Sequence, residues 1–439
     1  MRKSRYLAVG AIGVAAALAL SACAGGGAGS SGGSTIGTPD GKGKTITVWA
    51  MNGDLTPATL DAINAEFTKQ TGAQVKVETQ QWNGITTKVT TALATSTPPD
   101  VLDLGNTQIP GYAANGGLLD LTSYKTELQQ GQTWLGGLVD PATVGGKLFG
   151  VPSFAGTRAV IYNKDVWAAA GVTSAPTTYQ ELAADLDKIK AKNPAEDFSS
   201  FYLPGQFWYN GLQWVWDAGG EIATLSGKTW TGGLSSASAQ QGLNDFKTFQ
   251  NTYSTVASRT LDTDKPDQDA IFASGKASAI LGNGWEIGTI QKDNAALTND
   301  KLGTFPFPGK SGKNQPVALG GSDWGIAAKS ANKMLALAWT KIAASPNIQN
   351  TYVFGKEGWI PNSTEGIKAA QSAGLPELQK GFFAAALISK STPAAANWAT
   401  IEGDKSINQF FSSVASGSKS VSDAASNFDS HLESVLNGK

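Results

Sequence analysis

KTITVWAMNGDLTPATLDAINAEFTKQTGAQVKVETQQWNGITTKVTTALATSTPPDVLDLG, from Lys44 to Gly105, is the stretch whose pattern decides the fold. Lys44 to Trp49 alternates and is rich in β-branched residues, which reads as a strand. Asn52-Gly53-Asp54 ends it. From Pro57 to Gln70, Leu60, Ile63 and Phe67 recur at i, i+3, i+7, the spacing of one helical face. Gln74 to Gln80 alternates again, and Ile85 to Ala94 reads as a helix stopped by Pro98-Pro99. Asp100 to Leu104 is a third strand. Strand, helix, strand, helix, strand predicts βαβ units and a parallel sheet.

Downstream the alternation continues. Gly145 to Asp165 reads as two strands around a Pro-Ser-Phe-Ala-Gly break. Tyr179 to Ala191 is an amphipathic helix with Leu182, Leu186 and Ile189 inward. Trp208 to Trp216 and Leu234 to Tyr253 read as helices, and Ala277 to Leu281 as a short apolar strand opening into Gly282-Asn283-Gly284-Trp285. Gly303 to Pro308 is extended, and Ser322 to Ala328 is a strand. From Asn332 the pattern is helical, broken at Gly358-Trp359-Ile360-Pro361-Asn362. No fixed-period repeat appears, which argues against a solenoid or propeller.

Upstream, Arg2, Lys3 and Arg5 precede an uncharged run from Leu7 to Leu20. A basic head and a short apolar core form a secretory signal, and the run is shorter than the ~20 residues that span a bilayer. Leu20-Ser21-Ala22-Cys23 is similar to a bacterial lipobox, in which the cysteine is acylated and becomes the new N-terminus. Cys23 is the only cysteine in 439 residues, so it has no disulfide partner within the chain. Residues 24–43 are dominated by Gly, Ser, Ala and Thr, too poor in apolar surface to fold, and read as a flexible tether. The expected order is signal and lipidated cysteine over 1–23, tether over 24–43, then a globular part.

That globular part, ~395 residues, exceeds one typical core, so two domains are expected. Net charge is −1 with both signs interspersed, and no basic stripe invites nucleic acid. There are 13 Trp and a single histidine, His431. One remote histidine leaves no histidine-based acid–base chemistry, and acylation of Cys23 leaves no thiol nucleophile. No GxxxxGK[ST] phosphate loop, no His/Cys metal set and no EF-hand loop is present, so neither a cofactor nor a metal is expected.

Six segments in order carry a family resemblance. They are ITVWAMNGD, PPDVLDLGNTQIPGYAANGGLLDLTSY, GKLFGVPSFAGTRAVIYNKDVWAAAG, FASGKASAILGNGWEIGTI, GGSDWGIAAKSANKMLALAWTKIAA and EGWIPN. With them, Thr45 to the C-terminus resembles the extracellular solute-binding proteins of sugar ABC importers, the maltose-binding-protein-like group. The resemblance implies a two-lobed α/β fold, each lobe a mainly parallel sheet flanked by helices. Residues 44–154 and 319–355 would form the first lobe, and 155–318 and 356–439 the second. A sugar would sit in the cleft, the lobes would close on it, and the closed form would dock on membrane permease subunits driven by an ATPase. A monomer held to the outer face of the cytoplasmic membrane by its lipid is expected.

Sugars present hydroxyls and an apolar C–H face, so their sites combine aromatic platforms with planar hydrogen-bonding groups. Strand ends and loops of each lobe supply candidates: Asn52, Trp82 and Asn106 on the first; Arg158, Trp208, Trp285 and Glu286 on the second; and Asp323, Trp324, Trp359 and Trp398 at crossings and helix breaks. Each also has a structural reading. Tryptophan is highly buried on average, and Trp49, Trp167 and Trp339 continue apolar faces and are expected in the core. Trp214 and Trp216, two apart on a helix, cannot share a face. Arg158 could pair with a surface carboxylate, Glu286 and Asp323 could be solvated charges, and Asn52 and Asn106 could cap turns.

Two departures leave the ligand open. The loop Asn106-Thr107-Gln108 lacks the charged pair of some maltodextrin binders, and Gly156 stands where some relatives carry an acid. Two other classes compete. A secreted glycoside hydrolase would need two carboxylates ~5–10 Å apart, for which Asp217, Glu221, Glu286 and Asp323 are the acids at hand. A binding protein for a charged solute would need converging carboxylates or a charged clamp, whereas the aromatic and amide set suits a neutral polyhydroxylated ligand.

Overall fold

The computed structural model describes residues 35–438, so the signal segment, Cys23 and most of the expected tether lie outside the described residues. The end of that tether is not a leash. Ile36 is only 3% exposed, packs into the first lobe, and donates its backbone N–H to Glu127 Oε2 at 2.7 Å. Glu127 is in turn paired with Lys341 at 2.7 Å. One apolar side chain in a Gly/Ser/Thr run covers an apolar surface, so packing reaches at least as far as Ile36, ahead of Lys44.

Eight strands organise the two lobes: β1 (Thr45–Met51), β2 (Gln74–Gln80), β3 (Val101–Gly105), β4 (Gly150–Gly156), β5 (Arg158–Asn163), β6 (Ala279–Asn283), β7 (Leu302–Phe305) and β8 (Gly320–Ile326). The first lobe holds a five-stranded sheet in the order β2-β1-β3-β8-β4. β1 runs parallel to β2 and β3, as the βαβ pattern requires. Helix α1 (Pro57–Thr71) opens with proline in its first turn and buries Leu60, Ile63 and Phe67. β8 returns antiparallel between β3 and β4. The expected break at Pro-Ser-Phe-Ala-Gly is absent, because those residues belong to β4. Pro152 is tolerated because β4 is an edge strand and its register shifts opposite Ser322 and Asp323. The chain leaves the sheet only at Thr157.

The second lobe departs from the mainly parallel expectation. β5 lies between β6 and β7 and is antiparallel to both. Parallel pairing there is confined to short contacts: Ser199 and Tyr202 bridge Ala277 and Ile280, and Val317–Ala318 pairs with Ser389–Lys390. β5, β6 and β7 are each short and apolar, and an isolated apolar run carries no mark of its direction.

Helix α2 (Trp208–Asp217) lies against α3 (Ala237–Tyr253). Gly242 makes that approach close, since a Cβ there would overlap the Trp214 carbonyl. The aromatics Trp214, Phe246, Phe249, Phe307 and Phe411 fill the surrounding core. A separate buried cluster forms around Ile161, Ile280 and Phe383. The chain passes from the first sheet to the second between Gly156 and Arg158, returns between Phe305 and Gly320, and leaves the first-lobe core again between Val353 and Ile360. At that last passage Ile360 and Ala155 exchange both backbone hydrogen bonds.

Candidate functional site

Where these passages converge, a cleft of about 270 Å³ opens between strand ends of the two sheets. Asp54, in the turn after β1, and Trp82, after β2, line it from the first lobe. Arg158 at the start of β5, Tyr209 on α2, Asn283 at the end of β6 and Trp285 line it from the second. Gly156, Gly320, Ser322 and Trp359 lie at the passages themselves.

An aromatic corner dominates. Trp285 ends the turn after β6 and caps helix α4 (Glu286–Asp293), with 58% of its surface exposed. Its ring meets that of Trp359 at 6.5 Å and 65°. Trp359 leans on Phe154 at 4.6 Å, and its Nε1 donates to the Asp54 carbonyl at 2.9 Å. Gly156 is the floor: a Cβ there would lie in ordinary contact with both rings, 3.6 Å from Trp359 and 3.7 Å from Trp285, so a longer side chain would compete with them for the corner. Trp82, 40% exposed, adds a further ring. Large exposed aromatics are uncommon on a folded surface, and two on one cleft mark a surface made to be covered.

The polar groups are held firmly. The Arg158 guanidinium lies 3.8 Å from the Tyr209 ring centre, a cation–π contact that fixes its direction. Ser322 donates its hydroxyl to Asp54 Oδ2 at 2.7 Å. Burial raises the Asp54 pKa, and the neighbouring Asp103, fully buried, is raised well above the carboxylate range by burial and by Asp54. Two carboxyls so placed resist ionising together.

Several expected contacts are redirected by the fold. Asp323 and Trp324 sit on β8, which is flanked on both sides, so both side chains are swallowed by the first-lobe core. Trp324 meets Trp339 edge-on at 4.8 Å. Asp323 has no partner among the described residues, and burial holds it well above the usual carboxylate range. Only Gly320, Gly321 and Ser322, at the strand's end, reach the cleft. Trp398 is buried with its Nε1 on Glu402 at 2.7 Å. Trp208 is buried and stacks behind Tyr209 at 3.7 Å, so it is Tyr209, its neighbour in the same aromatic cluster, that faces the cleft. Asn52 is exposed and turned to Gln81, leaving the cleft to Asp54 two residues on. Asn106 is a buried brace donating to the Gly137 and Leu319 carbonyls, at the edge of a small side chamber shared with Tyr209 and Lys390. Among the expected core residues, Trp167 and Trp339 are fully buried, whereas Trp49 is half-buried with its Nε1 on Glu78. Trp214 and Trp216 are both buried, because α2 is enclosed on all faces.

Glu286 points away from the cleft and holds its wall. Its Oε1 accepts from the backbone and side-chain nitrogens of Asn283, both at 2.8 Å, and its Oε2 accepts from Gln268 at 2.7 Å. Asp269 lies beside it; burial and then the Glu286 charge push its carboxyl from 3.8 up to about 8. Between about pH 4 and 8 the folded chain therefore keeps a proton that the unfolded chain releases. The stabilisation is complete below about pH 4 and is lost as pH rises through about 8. Asp269→Asn removes that titration. Its melting temperature relative to the parent is expected to rise from about pH 5 to about pH 9, as thermal unfolding at the two values would read. An equal gap at both would show that Asp269 is ordinarily ionised.

Among the described residues, no group of three or more His, Cys, Asp or Glu side chains is placed to hold a metal ion, and no helix is long and apolar enough to cross a membrane. The family model described as bacterial extracellular solute-binding protein matches residues 52–350. The diacetylchitobiose binding protein DasA of Streptomyces coelicolor is 35% identical over 444 residues, covering 99% of each chain. The sugar-binding protein MalE of Xanthomonas citri superposes with a TM-score of 0.77 at 22% identity, over 90% of this chain and 98% of its own. A cyclo/maltodextrin-binding protein solved with maltotetraose superposes at 0.75, with 23% identity, over 90% of this chain and 97% of its own.

Proposed function

Because the chain belongs to the bacterial extracellular solute-binding protein family, we propose that it captures a mono- or oligosaccharide between its lobes and delivers it to the permease of an ABC importer. The observation that carries the sugar reading is the corner of Trp285 and Trp359 over Gly156, facing Asp54, Arg158 and Asn283 across one cleft. Flat rings meet the C–H face of a pyranose, and the planar polar groups meet its hydroxyls. Asp54, Trp82, Arg158, Tyr209, Asn283, Trp285 and Trp359 are the residues assigned to the ligand.

The family's extracellular description agrees with a site of action outside the cytoplasm. The lipobox-like Leu20-Ser21-Ala22-Cys23 supports an anchor at Cys23, on the outer face of the cytoplasmic membrane. The chain works as a binding subunit rather than an enzyme: Asp323 is sealed in the core and Glu286 is engaged in bracing Asn283, so neither offers a free carboxylate to a glycosidic bond.

A thermal-shift screen of the chain freed of its signal segment tests this reading. Its panel holds N,N′-diacetylchitobiose, maltose, maltotetraose, amino acids and polyamines. A ligand of the native state at a hundred times its Kd stabilises by about 2.7 kcal/mol. A melting-temperature rise with a saccharide and no breakdown of it is expected. Rises with amino acids or polyamines alone would refute sugar capture, and hydrolysis would refute the non-enzymatic reading.

A further inference from the structure

Behind the Trp285–Trp359 corner the cleft continues into a second chamber of about 280 Å³, which shares Gly156 and both rings with the first. Its character is different. Ile287, Leu378, Phe382 and Phe383 wall it, where the first compartment has Asp54, Arg158 and Asn283. Of its charged side chains, Glu357 has its Oε1 engaged by Thr56 and Thr59. Two buried polar atoms of the chamber's lining have no partner among the described residues: Gln379 Oε1, an acceptor, and the Thr157 hydroxyl, which can donate. An unmet acceptor in an apolar wall is costly unless something donates to it.

Resting on the sugar-capture reading, we infer that this chamber receives an acylamino substituent of the bound sugar, with Gln379 Oε1 accepting its N–H. An acylamino group has an N–H for Gln379 Oε1, a carbonyl to which the Thr157 hydroxyl can donate, and a methyl end for the walls of Ile287, Phe382 and Phe383. A hydroxyl in the same place would satisfy Gln379 but leave the apolar walls facing water. A plain alkyl group would cover the walls and leave Gln379 unmet. The chamber falls just below the usual ~300–1,000 Å³ of a whole-ligand pocket, so it suits a substituent of a ring held in the first compartment. Gln379, Phe382 and Ile287 are then specificity-determining residues that separate N-acylated sugars from their hydroxyl counterparts.

The test is calorimetric titration with pairs that differ only in that group: N-acetylglucosamine against glucose, N-acetylgalactosamine against galactose, and diacetylchitobiose against cellobiose. The N-acylated member of at least one pair is expected to bind about tenfold tighter or more, because a site built for a donor rejects the analogue lacking its N–H and acyl group. Gln379→Leu, nearly the same size on a half-exposed position, is expected to shrink that ratio severalfold in a chain whose melting temperature is held. Hydroxyl sugars binding as tightly as their partners in every pair would overturn the inference and leave sugar capture standing. A ratio untouched by Gln379→Leu would overturn the role of Gln379. Failure of every saccharide in the panel would remove the reading beneath both.

Discussion

Trp285→Ala is expected to weaken saccharide binding by about 1–3 kcal/mol, roughly five- to 150-fold, while the ligand-free chain unfolds within about 0.5 kcal/mol of the parent. The ring stands on a turn with more than half its surface in water and touches little besides Trp359 and the floor at Gly156. Truncating it removes one face of the corner and nothing from either core. Titration calorimetry reads the first quantity and denaturant unfolding without ligand reads the second. An unchanged Kd would mean the sugar does not lie on this corner, and the assignment of the cleft would fail at its most exposed aromatic.

Trp214→Ala is expected to do the reverse. This ring is 1% exposed, packed at 5.2 Å against Phe249 and 5.5 Å against Phe307, with Tyr179 edge-on at 5.8 Å. Removing it empties a large volume in a core whose neighbours are themselves rings, at a cost of about 3–5 kcal/mol. The loss also deprives the buried Asn210 Oδ1 of its 2.9 Å bond from the indole, adding roughly 1–3 kcal/mol. Denaturant unfolding should show the free energy of unfolding falling by that amount, read as a lower midpoint at unchanged slope. A midpoint within error of the parent would mean the second-lobe core closes over the missing ring, and that the aromatic cluster is not what holds α2 to α3.

One substitution at two tryptophans thus has two opposite signatures, and the letters around them do not say which is which. Both sit in aromatic, glycine-containing stretches. Trp214 is enclosed because its face of α2 is covered by α3 and the surrounding rings, whereas Trp285 is exposed because the chain turns at the end of β6 and carries the ring out into the cleft. The same logic separates Trp208 from Tyr209, where a rotation of about 100° between successive helical residues decides which ring meets the cleft and which stacks behind it. Asn52 and Asp54 differ in the same way: one faces Gln81 and solvent, the other Ser322 on a strand 268 residues later.

What the amino-acid sequence determined by itself is local and periodic. Alternation made β1 and β2, the i, i+3, i+7 spacing placed Leu60, Ile63 and Phe67 on one buried face, and their succession required parallel pairing in the first lobe, because each of these signals acts within one element or between adjacent ones. Only the tertiary structure decided the rest. β8 became an inner strand, which buried Asp323 and Trp324 and left Ser322 at the cleft. β5 took antiparallel neighbours, and Ile36 was drawn onto the first lobe. Whether a side chain meets ligand or core depends on which remote surfaces cover its element, and that covering is a property of the packed chain rather than of any window of residues.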